Sequence, residues 1–467
     1  MRFRYVCAAV CLAALASGQV APPDRPRVWE KYIQPGLTYR MEIDPAAPRV
    51  IHALRWSQGA PGLRMEPALA GRTIYEDGES NGRGTLSAEL RSSGAIGGIN
   101  AGFFGPSGDP FGAHIVNREI ISTPWPKRTA FAWGTRGAVI GTLTWEATAS
   151  SNGNSVAIDG VNQSTVNNTL MLNTPMAGFA LSGGPAVVHV VLSTGQQKLT
   201  VNGTVTGRVT AVIRGQNRVP IEANTMVLTA ADAKATTIAA WAVGATVNLR
   251  NEFAGLNLNN YDHAIGDGNL LVDDARPAVR YQAEGFSEDH GDRRHPRTAI
   301  GQTPQGDFWL VTVDGRQPMS AGATLEEMAT IMLRLGCERA LALDGGGSTA
   351  MGLRSLIVNR PSDGRERSVT NFVLLFADQG GETPATGLRI DGPTSLTVNT
   401  GGAARLRDAD GRVIPNEEVI WSCSGAAWID QAGNLWALAA GPAVIRAYCR
   451  GSVVEMTVNV QPGPNGS

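Results

Sequence analysis

Residues 308–349 read FWLVTVDGRQPMSAGATLEEMATIMLRLGCERALALDGGGST, and this stretch decides the fold class. Its first six residues, 308–313, form an apolar run rich in β-branched and aromatic side chains, which reads as a strand. Thr324, with Glu327 three positions on, makes a capping box. Leu325, Met328, Ile331, Met332 and Leu335 then recur at helical spacing on one face, and Gly336 supplies the stop. A second strand, 340–343, follows at once. Strand, helix, strand in that order implies α+β architecture, with parallel pairing of the two strands as one arrangement. Upstream, 187–249 alternates apolar and polar residues, as antiparallel strands do. The expectation for the main body, 27–378, is an α+β, strand-rich mixed-sheet domain with few helices.

The same stretch carries the sharpest chemical signal, Asp344-Gly345-Gly346-Gly347-Ser348-Thr349 at the mouth of the second strand. Three glycines in a row are entropically costly, so they mark a tight turn or a close approach to a ligand. Their bare N–H groups can form an anion-binding concavity, and the motif lacks the lysine of a nucleotide P-loop. Four further segments hold candidate side chains. In Asn100-Ala101-Gly102-Phe103-Phe104-Gly105, the Asn can bond sugar hydroxyls and the aromatic pair can offer a pyranose face, or be one core and one half-buried ring. Arg297, opening Arg297-Thr298-Ala299-Ile300-Gly301 after the charged loop 288–295, suits bidentate phosphate recognition. Asp314 and Arg316 end the first strand, and Arg367 closes the arginine-rich segment 359–367. Singly, each arginine is as well explained by a surface ion pair.

Together, NAGFFG, IGDGNLLVDD, RTAIG, VDGRQ, LALDGGGSTAM and VNRPSDGRERSVTNF resemble, in this order, the phosphodiester glycosidase family, which includes the lysosomal "uncovering enzyme" and many exported bacterial proteins. The resemblance covers most of 27–378. One departure is Asp267, in a stretch that is often glycine-rich in the family. The resemblance implies hydrolysis at an anomeric carbon, giving free sugar and a phosphate monoester. Phosphate is a good leaving group, so the site needs cations or N–H groups on the phosphate and a carboxylate facing the oxocarbenium. Asp344 is expected in the carboxylate role with Asp314 in reserve. Arg297 and Arg316, with the amides of Gly345, Gly346 and Gly347, are expected on the phosphate. Asn100, Gly102, Phe103, Ser348 and Arg367 complete the expected substrate contacts.

No cofactor is expected, although a divalent cation stays open. The six dispersed histidines make a metal-dependent phosphodiesterase the weaker enzyme alternative, and a non-catalytic polysaccharide-binding protein is the alternative of another class. The expected partner is a sugar-phosphate diester or phosphate-containing glycan. A formal net charge of -1 gives no reason to expect nucleic acid.

At the N-terminus, Arg2 and Arg4 precede an apolar run and then small residues, which reads as a secretory signal peptide over 1–18, with cleavage before about Val20 and no membrane insertion afterwards. A secreted or periplasmic location follows. A Gly/Pro/Thr-rich linker, 379–386, leads to a tail, 387–462, of short alternating strands, which resembles a small all-β bacterial Ig-like sandwich. Trp421 is expected in its core, with a sugar-binding role as the alternative. An oxidising compartment permits a Cys423–Cys449 bridge, against two buried thiols, while Cys337 reads as an inert core residue.

Overall fold

The computed structural model describes residues 23–78, 81–184, 186–378 and 383–463. The expected signal segment and residues 379–382 of the expected linker lie outside them. The chain divides into a larger unit, Pro23–Ala385 with Tyr448–Val453, and a smaller one that includes Thr386–Ala447.

The larger unit is built on a sheet that is antiparallel in all its described pairings, not mixed as expected, with central strands in the order Arg49–Ser57, Asp307–Val313, Arg297–Gln302, Arg339–Ala342 and His263–Asp273. The helix Leu325–Arg334 covers one face. Thr324 accepts from the Glu327 amide and Glu327 returns the bond, so the capping box is formed. Its apolar stripe, Leu325, Met328, Ile331 and Met332, is buried against Val311, Val313, Ala299 and Ala340 of the sheet. Burial of each such large side chain is worth roughly 1.5–3 kcal/mol. The antiparallel strands expected over 187–249 are present as Val187–Ser193, Thr204–Arg214, Thr225–Ala231 and Thr246–Ala254 in an eight-stranded sheet.

The two strands that flank the helix are not paired with each other. Arg297–Gln302 lies between them, antiparallel to both. A tight turn closes that hairpin, with the Gly306 amide donating to the Thr303 carbonyl and Gly306 at φ +91. Both edges of Asp307–Val313 are therefore taken, one by its hairpin partner and the other by Arg49–Ser57. The helix must cross one strand further to reach an open edge. The ends of Asp307–Val313 and Arg339–Ala342 and the start of Arg297–Gln302 consequently share one rim of the sheet. A five-stranded sheet delivers Asn100, the last residue of Gly97–Asn100, to the same rim.

In the smaller unit, the described strands form sheets of two, four and three strands. Trp421 is fully buried, and its indole N–H donates to the Asn416 side chain. Cys423, and Cys449 in the segment Tyr448–Val453 grouped with the larger unit, are thiols, not the expected bridge. Cys423 is half-buried and directs its Sγ at the Ala427 carbonyl, 3.3 Å away, while Cys449 is fully buried. Cys337 is buried, and burial pushes its thiol up to about 12.

The capping box gives a direct test. Thr324→Ala removes the side-chain acceptor for the Glu327 amide and should cost about 1 kcal/mol. Urea unfolding should show a lower midpoint with an unchanged slope for the transition of the larger unit.

Candidate active site

The shared rim opens into a cleft of about 370 Å³ lined by Phe103, His290, His295, Arg297, Arg316, Asp344, Arg367 and the three glycines, with Asp289 at its edge. Asp344 leaves the strand Arg339–Ala342 after Leu343, whose amide bonds the Thr298 carbonyl at 2.8 Å. Its own amide donates to Ala101, and its carbonyl accepts from the Asn100 side chain at 2.7 Å. The backbone is thus pinned on both sides. The carboxylate accepts from Ser348 and from the Gly345 amide, and burial pushes it up to about 6 in spite of those bonds and the nearby Arg367.

The glycines are required by geometry, each for its own reason. Gly346 sits at φ +60, in the left-handed region. A Cβ on Gly345 would stand 2.7 Å from the Pro296 carbonyl oxygen, and one on Gly347 would overlap the Arg367 guanidinium. They do not form the three-amide anion cradle expected from sequence. The Gly346 amide donates to the Pro296 carbonyl at 2.9 Å, and the Gly345 amide serves Asp344. The loop instead lets arginines come close. Arg367 reaches over Gly347, tethered to Asp363 at 2.7 Å, and Arg316 lies beside Gly346.

Arg316 stands at φ +59, an uncommon conformation for a side-chain-bearing residue, and its turn is closed by bonds between Gln317 and Ser320. Its Nη2 donates to His295 Nδ1 at 3.1 Å, so the His295 proton is on Nε2, facing the Asp289 carbonyl at 2.8 Å. Arg297 is buried. Its Nε and Nη2 donate to the carbonyls of Ala323, His290 and Arg293, and burial pushes it down to about 10. With those nitrogens bound to two loops, it cannot grip a phosphate as a free bidentate fork. It braces the cleft wall and adds positive charge.

Asp314 is not among the cleft residues. It is buried, accepting from the Arg360 amide at 3.0 Å and the Asn359 side chain at 3.2 Å, with His52 at 3.6 Å. It anchors the segment that leads to Arg367. Asn100 also turns inward: its Oδ1 accepts from Thr298 and from the Ala350 amide, so both ends of its amide are engaged. Gly102 packs by the Gly266 carbonyl, and Ser348 is buried behind the loop. Phe103 does face the cleft, while Phe104 packs against the core cluster that includes Leu86, Val369 and Phe372.

Sequence reasoning assigned no role to the part of the wall around His290, whose carbonyl accepts from Arg297. His290 stacks on Phe286 at 4.6 Å and donates from Nε2 to Asn269 at 2.8 Å. Asn269 in turn donates to the buried Glu284. Burial, helped by Arg297, His295 and Arg128, pushes His290 down to about 4, so it is neutral. Asp267 is buried and ion-paired with Arg128, and burial pushes it up to about 7, with Asp344 adding to the rise. The signals in the sequence were the charged loop 288–295 directly before Arg297 and the departure at Asp267.

Residues 196–376 match the model of the phosphodiester glycosidase family. The uncharacterized SPbeta prophage-derived protein YomE of Bacillus subtilis is 44% identical over 82 residues, 18% of this chain and 13% of that protein. The N-acetylglucosamine-1-phosphodiester alpha-N-acetylglucosaminidase of Bos taurus is 40% identical over 67 residues, 14% of this chain and 12% of that enzyme. The chain thus matches only a small part of the length of these relatives. A solved hypothetical protein from Synechocystis shares the fold, with a TM-score of 0.65 at 24% identity over 76% of this chain and 64% of that one. So does a Burkholderia pseudomallei protein described as a candidate exported protein, with a TM-score of 0.60 at 22% identity over 73% and 77%. The matched region 196–376, which contains Arg297, Arg316, Asp344 and Arg367, is similar to a phosphodiester glycosidase domain.

Proposed function

We propose that the cleft hydrolyses the anomeric C–O bond of a sugar-1-phosphate diester. The observation that carries this reading is Asp344, held rigid in a cleft whose rim bears Arg297, Arg316 and Arg367. The arginines draw in the phosphate and offset the charge it gains as the leaving group. Asp344 offers its negative charge to the oxocarbenium. Water adds its oxygen to the anomeric carbon, and the phosphate monoester departs with the bonding electrons. The water's second proton passes to solvent or to a carboxylate. Phosphate is a weak base compared with a sugar alkoxide, so strong acid assistance is not required. Attack at phosphorus by a metal-bound water would call for a ligand set, and among the described residues no three His, Cys, Asp or Glu side chains gather to hold one.

The same reading takes the protein to be exported, from the basic and apolar start of the chain. No helix among the described residues is long and apolar enough to cross a membrane. The all-β tail is taken as an Ig-like spacer with no part in the chemistry.

Hydrolysis of a chromogenic sugar-1-phosphate diester in oxygen-18 water tests the bond. Label should enter the sugar and be absent from phosphate; the reverse sinks the proposal. Asp344→Asn keeps the shape and removes the charge, and should slow turnover on the order of a thousandfold, roughly 4 kcal/mol of barrier. A fully active variant would remove Asp344 from the mechanism.

The pH profile provides a second check. Asp344 must be ionised to work, and its carboxyl is pushed up to about 6 from 3.8. kcat/KM should therefore fall as pH drops through about 6, not near 4 as for an exposed aspartate. A flat profile between pH 7 and about 5 contradicts this assignment.

A further inference from the structure

The cleft wall formed by Phe103 and His290 continues outward as a shelf of rings built around one guanidinium. The Arg128 carbon stands 3.9 Å from the Phe286 ring centroid, 5.7 Å from Trp125 and 5.9 Å from Phe103. Phe286 stacks on His290, Phe103 tilts against both, and Trp125 leans on Phe111 at 5.0 Å. The inner end of this shelf is the cleft; its outer end is Trp125, with 43% of its surface exposed. A lone exposed aromatic needs no explanation, but this one is fixed by two neighbours and joined ring by ring to the site.

Charge separates the shelf from the cleft. Arg128 is ion-paired with the buried Asp267, so the shelf presents apolar faces with little net charge. The cleft beside it carries three arginines. A phosphate is drawn to the arginines, whereas the faces left for Trp125 and Phe103 suit an uncharged ring with an apolar C–H face. The carboxylate that holds Arg128 keeps its guanidinium close to the three rings, so the shelf exists before a ligand arrives.

We infer that Trp125, Arg128 and Phe103 form a subsite for a second, uncharged pyranose, so that the sugar released in the cleft is one end of a longer glycan. The direction of that glycan rests on the glycosidase reading of the cleft; the binding itself does not.

Binding is best read on the Asp344→Asn protein, where turnover cannot interfere. Maltotriose, cellotriose and chitotriose serve as probes in saturation-transfer NMR, with uridine as a stacking ligand that is not a glycan. At least one trisaccharide should bind, and Trp125→Ala should weaken it about tenfold while Trp125→Phe retains most of the affinity. The indole N–H resonance of Trp125, assigned by its loss in Trp125→Phe, should shift on titration and needs no truncated variant. Binding that Trp125→Ala leaves intact, binding by none of the trisaccharides, or uridine binding as tightly as the sugars would each overturn the subsite. Absence of hydrolysis by the native protein would instead count against the proposed reaction alone.

Discussion

The side chain of Asn100 is the joint on which the site depends. It ends a strand of the five-stranded sheet, and its amide reaches into the central sheet to hold the Asp344 carbonyl at 2.7 Å. Its oxygen accepts from Thr298, on the strand between, and from Ala350, beyond the glycine loop. A buried amide with every partner in place is rigid, because losing any one leaves an unsatisfied polar group costing about 1–3 kcal/mol. Asp344 is fixed in space by this joint more than by its own strand.

Around that fixed carboxylate the charges are arranged with restraint. Each arginine of the cleft has a structural partner: Arg367 with Asp363, Arg316 with His295, and Arg297 with three carbonyls. These bonds hold the guanidinium groups in place around the cleft, which is the sense in which it is preorganised. Beside them, burial keeps His290 neutral and Arg128 is paired with Asp267.

Local signals were the legible part of the sequence. The capping box, the apolar stripe of the helix and the alternation over 187–249 each act within a few residues, and each formed as read. Asp344 was legible because it precedes glycines that a close approach or a left-handed turn requires, and Phe103 lines the cleft. The order of strands was not legible, since it depends on which edge a hairpin has already filled. Asp314 and Asn100 look like ligand residues by type and position, and only the fold shows their polar atoms bound inside the protein. The glycine amides misled for a related reason, since a crossing carbonyl from Pro296 takes one of them. Glu284, Phe286 and Arg128 carry no motif, so nothing short of the assembled wall picks them out.

The rim also governs how this protein must fold. Asn100 meets Thr298, Asp344 and Ala350 across separations of 198, 244 and 250 residues. Contacts that distant form late, after most of the loop-closure entropy has been lost, so folding of this unit is slow. The segment that family resemblance picks out, 196–376, contains Asp344 and the arginines but neither Asn100 nor Phe103. On a nascent chain Asp344 is synthesised 244 residues after the amide that holds its carbonyl. The early portion must therefore persist without its partners, with its apolar strands exposed, until the glycine loop arrives to complete the rim.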